Sequence, residues 1–424
     1  MRDADITAPI PRIDDSGEST SASSRPDHSP DHGPGHGHGH GHGPAERAGR
    51  KVRVLLAILL VPLALAAVVG VVLLYPFNDT QALPGGQRTP VNGDVTALES
   101  GPCGGVSVGE PDPNEQQCLI ATVRMTDGDA SGREITTLVP VEPNTPRFTV
   151  GDKVVLAYSG ADPASGDSYQ LVDFQRDTPL IVLAALFAAA VLVLGRWRGL
   201  AALAALGLSF VVLVMFVLPS IIAGEDPLLV AIAGAGVIMF VVLYLTHGLS
   251  ARTSTAVIGT LVSLVLIGVL GALFSATAKL TGLDEDTGVL INALGHGIDA
   301  RGLLLAGVVI GALGVLDDVT VTQTSAVWEL RRANPSLGWR QLYAAGVRIG
   351  KDHVASAVNT LVMAYAGAAL PVLLYSSTSG VGLGGILSSQ TIAAEIVRTL
   401  VGSIGLVACV PVTTAVAAVV ATRD

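Results

Sequence analysis

The sequence predicts an all-α polytopic membrane bundle of about eight transmembrane helices that carries a small extracytoplasmic β-barrel or β-sandwich domain. Three observations carry that prediction. Half of the 424 residues are apolar, only 14% are charged and the mean hydropathy is +0.57, values beyond those of an ordinary soluble domain. The apolar residues gather in runs of about 20, the length that crosses a bilayer core. Between the first two runs lies a polar stretch of about 100 residues, in which β-branched and aromatic segments alternate with Gly, Pro and Asp turns. The net charge of -10 is spread over a tail and the expected outer loops, and nothing in it points to nucleic acid.

Residues 1–53 form a tail rich in Ser, Pro, Asp, His and Gly without apolar periodicity, a composition expected to stay disordered and cytoplasmic. Its HGPGHGHGHGHG tract places His36, His38, His40 and His42 at alternate positions. Neutral imidazoles at this density chelate Zn, Ni, Co or Cu, whereas a flexible Gly-His repeat fixes no geometry. A metal-loading arm and a merely solvated tail both stay open. The first span, 54–75, follows the basic cluster Arg47, Arg50, Lys51 and Arg53 and lacks a small-residue cleavage site, which reads as an uncleaved signal anchor.

Residues 76–178 are expected to form the β-domain, from runs such as CLIATVRM, REITTLVPV, FTVGDKVVLAY and SYQLVDF. About five short strands make a small barrel or sandwich. Cys103 and Cys118 are its only cysteines, and on the oxidising face of a membrane they are expected to pair, two free thiols being the alternative. Cys409 belongs to the last span. The domain holds no His/Asp/Ser or paired-carboxylate pattern, so it reads as a structural or partner-binding module.

Residues 179–424 contain seven further runs, at 179–195, 200–219, 228–247, 255–278, 302–327, 353–375 and 397–420. Arg196, Arg198, Arg252 and the basic segment from Arg331 to Lys351 fall on one side of these runs, while Glu225, Asp226 and the acidic group Asp284, Glu285 and Asp286 fall on the other. The positive-inside rule then puts both termini in the cytoplasm.

The 302–327 run is the informative one, because adjacent carboxylates, Asp317 and Asp318, sit where a span is most apolar. An ionised carboxylate there costs about 2.5–3.5 kcal/mol on insertion scales, so such residues face a bundle interior or a water-filled path. Two neighbouring carboxylates in a low dielectric cannot both ionise cheaply. At 100° per residue, Asp318, Thr322, Ser325 and Glu329 form a stripe about 60° wide, extended backwards by Gly314, Gly311 and Gly307. Asp317 and Thr324 lie on a second face. Small residues admit a neighbouring backbone, and oxygen ligands suit a cation. Interhelical glue with no solute passing is the competing reading. The hydroxyl-rich VTVTQTS run also suggests an interrupted helix, a transporter device.

Other spans supply expected partners. Asp352, Ser356, Asn359 and Met363 share a face, and Glu395 and Arg398 form an i, i+3 pair. His247 ends the fourth span, and Asn292 and His296 lie in a polar outer loop. The segment NPSLGWRQLYAAGVRIGKDH, opening at Ser336, reads as an amphipathic helix on the inner surface.

The segment GALGVLDDVTVTQTSAVWEL, a following basic loop, SAVNTLVMAYAGAALP and AAEIVRTLVGSIGL together resemble the YibE/F family of bacterial multi-pass membrane proteins, over roughly residues 90–420. The resemblance implies a plasma-membrane location and a permease-like architecture. It marks Asp317, Asp318, Ser325, Glu329, Asn359, Glu395 and Arg398 as positions to test, and it supplies no substrate, cofactor or mechanism.

The expected function is a non-enzymatic permease or exporter of a small solute or ion, coupled to protons or cations. Asp318 is the expected coupling carboxylate, Asp317 its neighbour, and Thr322, Ser325 and Asn359 are neutral ligands. No P-loop is present to drive transport with ATP. The alternative is a membrane scaffold or signalling protein whose external domain binds a partner, and the glycine stripe would also serve a homodimer. An intramembrane aspartyl protease needs carboxylates on separate helices that share a proton; here they are adjacent, GVLDD lacks a GxGD turn, and Glu395 or Asp352 would have to supply the second acid.

Overall fold

The computed structural model describes residues 49–77, 88–103, 117–141, 146–283, 287–289, 291, 297–378, 380 and 382–423. His36, His38, His40, His42, Asn292 and His296 lie outside them.

The chain is mostly helical, and among the described residues the β-structure is confined to one segment after the first helix. Helix α1 is Arg50–Leu74. Five strands follow: β1 Thr89–Pro102, β2 Gln117–Met125, β3 Glu134–Pro140, β4 Lys153–Tyr158 and β5 Tyr169–Phe174. All neighbouring pairs are antiparallel in the order β3-β2-β1-β4-β5. Strand β1 serves both halves because it is long and bends at a bulge between Val95 and Ala97, the usual device for curling a sheet. Gly93 lies beside that bend, where a Cβ would fall 2.3 Å from Val123.

Alternate positions of β3, Ile135, Thr137 and Val139, point inward. They join Val95, Val123, Val154 and Leu156 in one core. The Thr137 hydroxyl donates to the Tyr169 carbonyl at 2.7 Å, linking β3 to β5. The result is a single half-barrel, so of the two expected architectures the sandwich is excluded. Its strand order is that of the OB-type barrel. Cys103 and Cys118 are disulfide-bonded, with Cα atoms 4.9 Å apart, at the end of the β1–β2 ladder.

The helices that follow are α2 Asp177–Val212, α3 Leu218–Ile222, α4 Pro227–His247, α5 Ala251–Thr277 and α6 Ala300–Ala333. Four more complete the chain: α7 Trp339–Ala368, α8 Leu370–Thr378, α9 Leu383–Ser388 and α10 Gln390–Arg423. Among the described residues six helical stretches are long and apolar enough to cross a membrane, and the bent pair α7–α8 makes a seventh if it counts as one span. Their starts follow local chemistry. Asp226, Ser250 and Asp299 cap α4, α5 and α6 by accepting from Leu229, Thr253 and Arg301 backbone N–H groups, each satisfying a donor the first turn cannot.

One boundary differs from the sequence expectation. The runs at 179–195 and 200–219 fall on two helices that meet at a break within α2: Arg196 takes φ 49° and ψ -124°, and a Cβ on Gly199 would come within 2.4 Å of the Val191 carbonyl oxygen, a contact that a single straight helix, rising 1.5 Å per residue, does not allow. A π-turn at Leu213–Val217 precedes Pro219, whose missing N–H removes one α-helical bond. The difference is the amphipathic segment expected before the 353–375 run, which is not a separate helix. From Trp339 onward it is the first part of α7, which bends by 53° only at the α7–α8 junction.

Helix α6 is the centre of the bundle. It packs against α4, α5, α7 and α10, and its buried Leu304, Leu305, Val308, Ala312 and Leu316 share a core with Ile267, Leu406 and Val410. Helices α5 and α10 approach closely because Gly259 accepts Thr413 against its backbone and Gly405 accepts Ile267; a Cβ on either would fall 2.2 Å from its neighbour.

Candidate functional site

The hydroxyl-rich middle of α6 does not interrupt the helix. Thr320, Thr324 and Ser325 return their hydroxyls to the carbonyls of Asp317, Thr320 and Val321, at 3.1, 2.9 and 2.6 Å. Back-bonding of this kind satisfies a hydroxyl inside its own helix. The expected broken helix is therefore corrected to a continuous one.

The two aspartates part company. Asp317 points into the bundle, and its Oδ1 is buried without a hydrogen-bond partner. The Thr260 hydroxyl of α5 lies beside the carboxylate and shares a 3.0 Å hydrogen bond with Thr320 Oγ1. Cys409 of α10 is within electrostatic reach of Asp317 and adjoins Ser263, and its Sγ lies 3.5 Å from Thr413 Oγ1. The carboxylate thus has the Thr260 hydroxyl beside it and Thr320 bonded to that hydroxyl, while Ser263 and Thr413 gather around Cys409. Lower on α6, Gln323 donates to the Gly346 carbonyl at 2.7 Å and to Thr414 Oγ1 at 2.8 Å, tying α6 to α7 and α10.

Asp318 instead lies on an exposed stripe with Gly311, Gly314 and Thr322. This is the stripe the helical wheel describes, and its ends are covered. Toward the α6 N-terminus, Gly307 faces the Arg398 guanidinium at 3.6 Å and Gly311 faces the Tyr365 hydroxyl at 2.7 Å, each measured from a built Cβ. Arg398 Nη1 donates to Glu395 Oε2 at 2.6 Å, while its Nε is buried without a partner. Toward the C-terminus, Arg252 donates to the Ser325 hydroxyl and Arg332 pairs with Glu329 at 3.3 Å. Ser325 and Glu329 are therefore engaged by basic groups rather than gathered around Asp318.

Asn359 is not brought to either aspartate. Helix α7 buries Leu361 and packs Val354, Ala357 and Val358 into the core, which leaves Asp352, Ser356, Asn359 and Met363 on the exposed side. The apolar face is the larger one, and burying it decides the rotation of the helix.

Sequence reasoning missed Thr260, Ser263, Thr413, Arg252 and Tyr365. A signal was present: Thr253, Thr260 and Ser263 recur at i, i+7 and i+10 on α5, and Cys409 and Thr413 at i, i+4 on α10, each marking a polar face inside an apolar run. Among the described residues no group of three or more His, Cys, Asp and Glu side chains converges to hold a metal ion. The oxygen-rich setting of Asp317 suits a proton or a hard cation.

Fold and site together define a class: an α-helical protein whose helices have the length and hydropathy of membrane spans, with a carboxylate in their midst. The chain belongs to the YibE/F-like family, whose model matches residues 183–423, over half of its length. That match is narrower than the resemblance over 90–420 and leaves the half-barrel and α1 outside it. No curated protein and no solved structure matches the chain.

Proposed function

We propose that the protein is a plasma-membrane permease or exporter of a small solute or ion, coupled to protons or cations through an intramembrane carboxylate, and not an enzyme. The observation that carries this reading is the buried, unpartnered Oδ1 of Asp317 on the central helix. An uncompensated polar atom at such depth costs stability, and intramembrane carboxylates of this kind mark proton and ion pathways. The coupling role expected for Asp318 passes in this proposal to Asp317, with Thr260 and Thr320 as its neutral neighbours.

The topology proposed is eight spans, counting the two parts of Asp177–Ile222 either side of Arg196 separately and α7–α8 as one. Support comes from the backbone break at Arg196 and from the basic loops alternating with acidic ones, a bias that favours both termini inside and the half-barrel outside.

Purified protein in detergent should gain thermal stability with a particular cation or with pH, by mass action on the native state. That shift should vanish in Asp317→Asn, and the variant, expressed at the normal level, should fail to complement a deletion strain. Full complementation with an undiminished shift would overturn the proposal.

A second reading, a scaffold or signalling protein that binds a partner or a second copy of itself, draws on one observation. The exposed polar faces Asp318/Thr322 of α6 and Asp352/Ser356/Asn359 of α7 are costly to leave against lipid. It predicts that substitutions there break a complex and that Asp317→Asn does nothing.

A further inference from the structure

Helices α1 and α4 touch through small residues at one end only. A Cβ on Gly70 would lie 3.1 Å from Ala233 Cβ, and one on Gly236 would lie 3.0 Å from Ala67 Cβ. Toward the N-terminus of α1 the two helices no longer touch in this way, and a groove of about 630 Å³ opens between α1, the end of α4 and the start of α5. That volume is in the range of sites for drug-sized ligands.

The groove is graded in chemistry. Its apolar part is walled by Leu60, Val61, Ala64 and Phe240. Its mouth carries Arg53, in the first turn of α1, and His247, the last residue of α4. Between these ends Tyr244 and Ser254 share a 3.0 Å hydrogen bond. His247 Nδ1 is bonded to the Thr246 hydroxyl at 2.7 Å, which holds the ring in place at the mouth. The charge at the mouth is the Arg53 guanidinium, and no Asp or Glu is among the described residues that line the groove, so the mouth is net basic. From Arg53 to Ala64 the α1 wall runs about 16 Å at 1.5 Å per residue.

We propose that this groove binds one anionic phospholipid, its acyl chain between α1 and α4 and its phosphate at Arg53 and His247. The apolar part selects a chain over a free anion, and the basic mouth selects an anionic headgroup over a zwitterionic one. The site sits on the membrane reading of the helices, but it requires no transported solute.

The test uses the full chain in detergent, with dioleoyl-phosphatidylglycerol, dioleoyl-phosphatidylcholine or inorganic phosphate added, and reads the melting temperature and the number of retained lipids by native mass spectrometry. Phosphatidylglycerol should raise the melting temperature and leave one lipid per chain, while the other two should do neither. Arg53→Gln should weaken the half-saturating lipid concentration about fivefold, the effect of one basic group near an anionic headgroup. Ala64→Trp, which fills the apolar part and keeps the charges, should abolish the lipid-dependent increment. Equal shifts with phosphatidylcholine, a shift with phosphate alone, or an undiminished increment in both variants would overturn the proposal. Asp317→Asn should leave the lipid increment intact, so this proposal and the transport reading fail separately.

Discussion

Asp317→Asn separates a functional carboxylate from a structural one by the sign and size of its effect on stability. The carboxamide has nearly the volume of the carboxylate and keeps an oxygen to accept from Thr260. A hydrogen bond between spans is worth about 0.6 kcal/mol on average and about 1.7 at most, so even its full loss is small. Oδ1 has no partner to lose, and relieving an unsatisfied buried oxygen returns about 1–3 kcal/mol. If the new amide is no better satisfied than the oxygen it replaces, the balance is near zero. The variant should therefore unfold in mixed detergent–SDS micelles within about 1 kcal/mol of wild type at neutral pH, while losing its coupling phenotype. A carboxylate that held a basic partner would behave otherwise, since breaking a buried ion pair costs about 3–5 kcal/mol. A loss above about 2 kcal/mol would refute the reasoning and return Asp317 to a structural role.

Gly259→Ala should destabilise the bundle by about 1–3 kcal/mol in the same assay, because its Cβ would fall 2.2 Å from Thr413 Oγ1 and α5 and α10 would have to separate. Cys103→Ser should cost the half-barrel about 3 kcal/mol by the loop-closure account, the bond spanning a sequence separation of 15; denaturation with and without reductant reads it. Thr137→Val should cost about 1 kcal/mol by removing the 2.7 Å bond to the Tyr169 carbonyl, and amide exchange should quicken in β5 rather than in β1. Tyr158 and Tyr169 should titrate above 10.0, through burial first and then the charges of Asp129 and Asp162, with the two phenols also acting on each other at Tyr169. A raised folded-state value means their contribution to stability is complete below about 10 and is lost as pH climbs through the folded values; absorbance at 295 nm against Tyr158→Phe and Tyr169→Phe checks the direction.

What was legible in the sequence was what periodicity and hydropathy control. The apolar runs became helices with bounds close to expectation, and β-branched alternation gave strands such as β3, with its inward Ile135, Thr137 and Val139. The Asp318 stripe lies on one face of α6, and Cys103 and Cys118 are joined. What the sequence did not give was rotation about each helix axis relative to its neighbours. Asn359 was expected as a neutral ligand for the α6 carboxylates, yet Val354, Ala357, Val358 and Leu361 won the buried side. The same ambiguity affected the aspartates. Adjacent residues differ by 100° on a helix, so only tertiary packing decides which of Asp317 and Asp318 faces the bundle. Continuity across VTVTQTS was hidden for a different reason: hydroxyls read as helix breakers can return their hydrogen bonds to the preceding turn.

The polar groups along α6 fall into three stations, and their spacing constrains any coupling that passes through it. Gly307 and Gly311, against Arg398 and Tyr365, form one. Asp317 forms the second, about 15 Å along the axis from Gly307, and Ser325 with Arg252 forms the third, about 12 Å beyond. Neither gap is bridged by one hydrogen bond, so under the proposed function a proton or cation moves between stations by water or by motion of the helices. The first station is the place to detect that motion, since Arg398 Nε is buried without a partner while Nη1 holds Glu395 at 2.6 Å. Arg398→Lys keeps the charge but not the guanidinium fork. If the station gates access to Asp317, this variant should slow complementation-dependent growth while leaving the Asp317-dependent shift in melting temperature in place. If the pair only seats α10, stability should fall and the cation or pH shift should stay in proportion to it, a result that would remove the first station from the pathway.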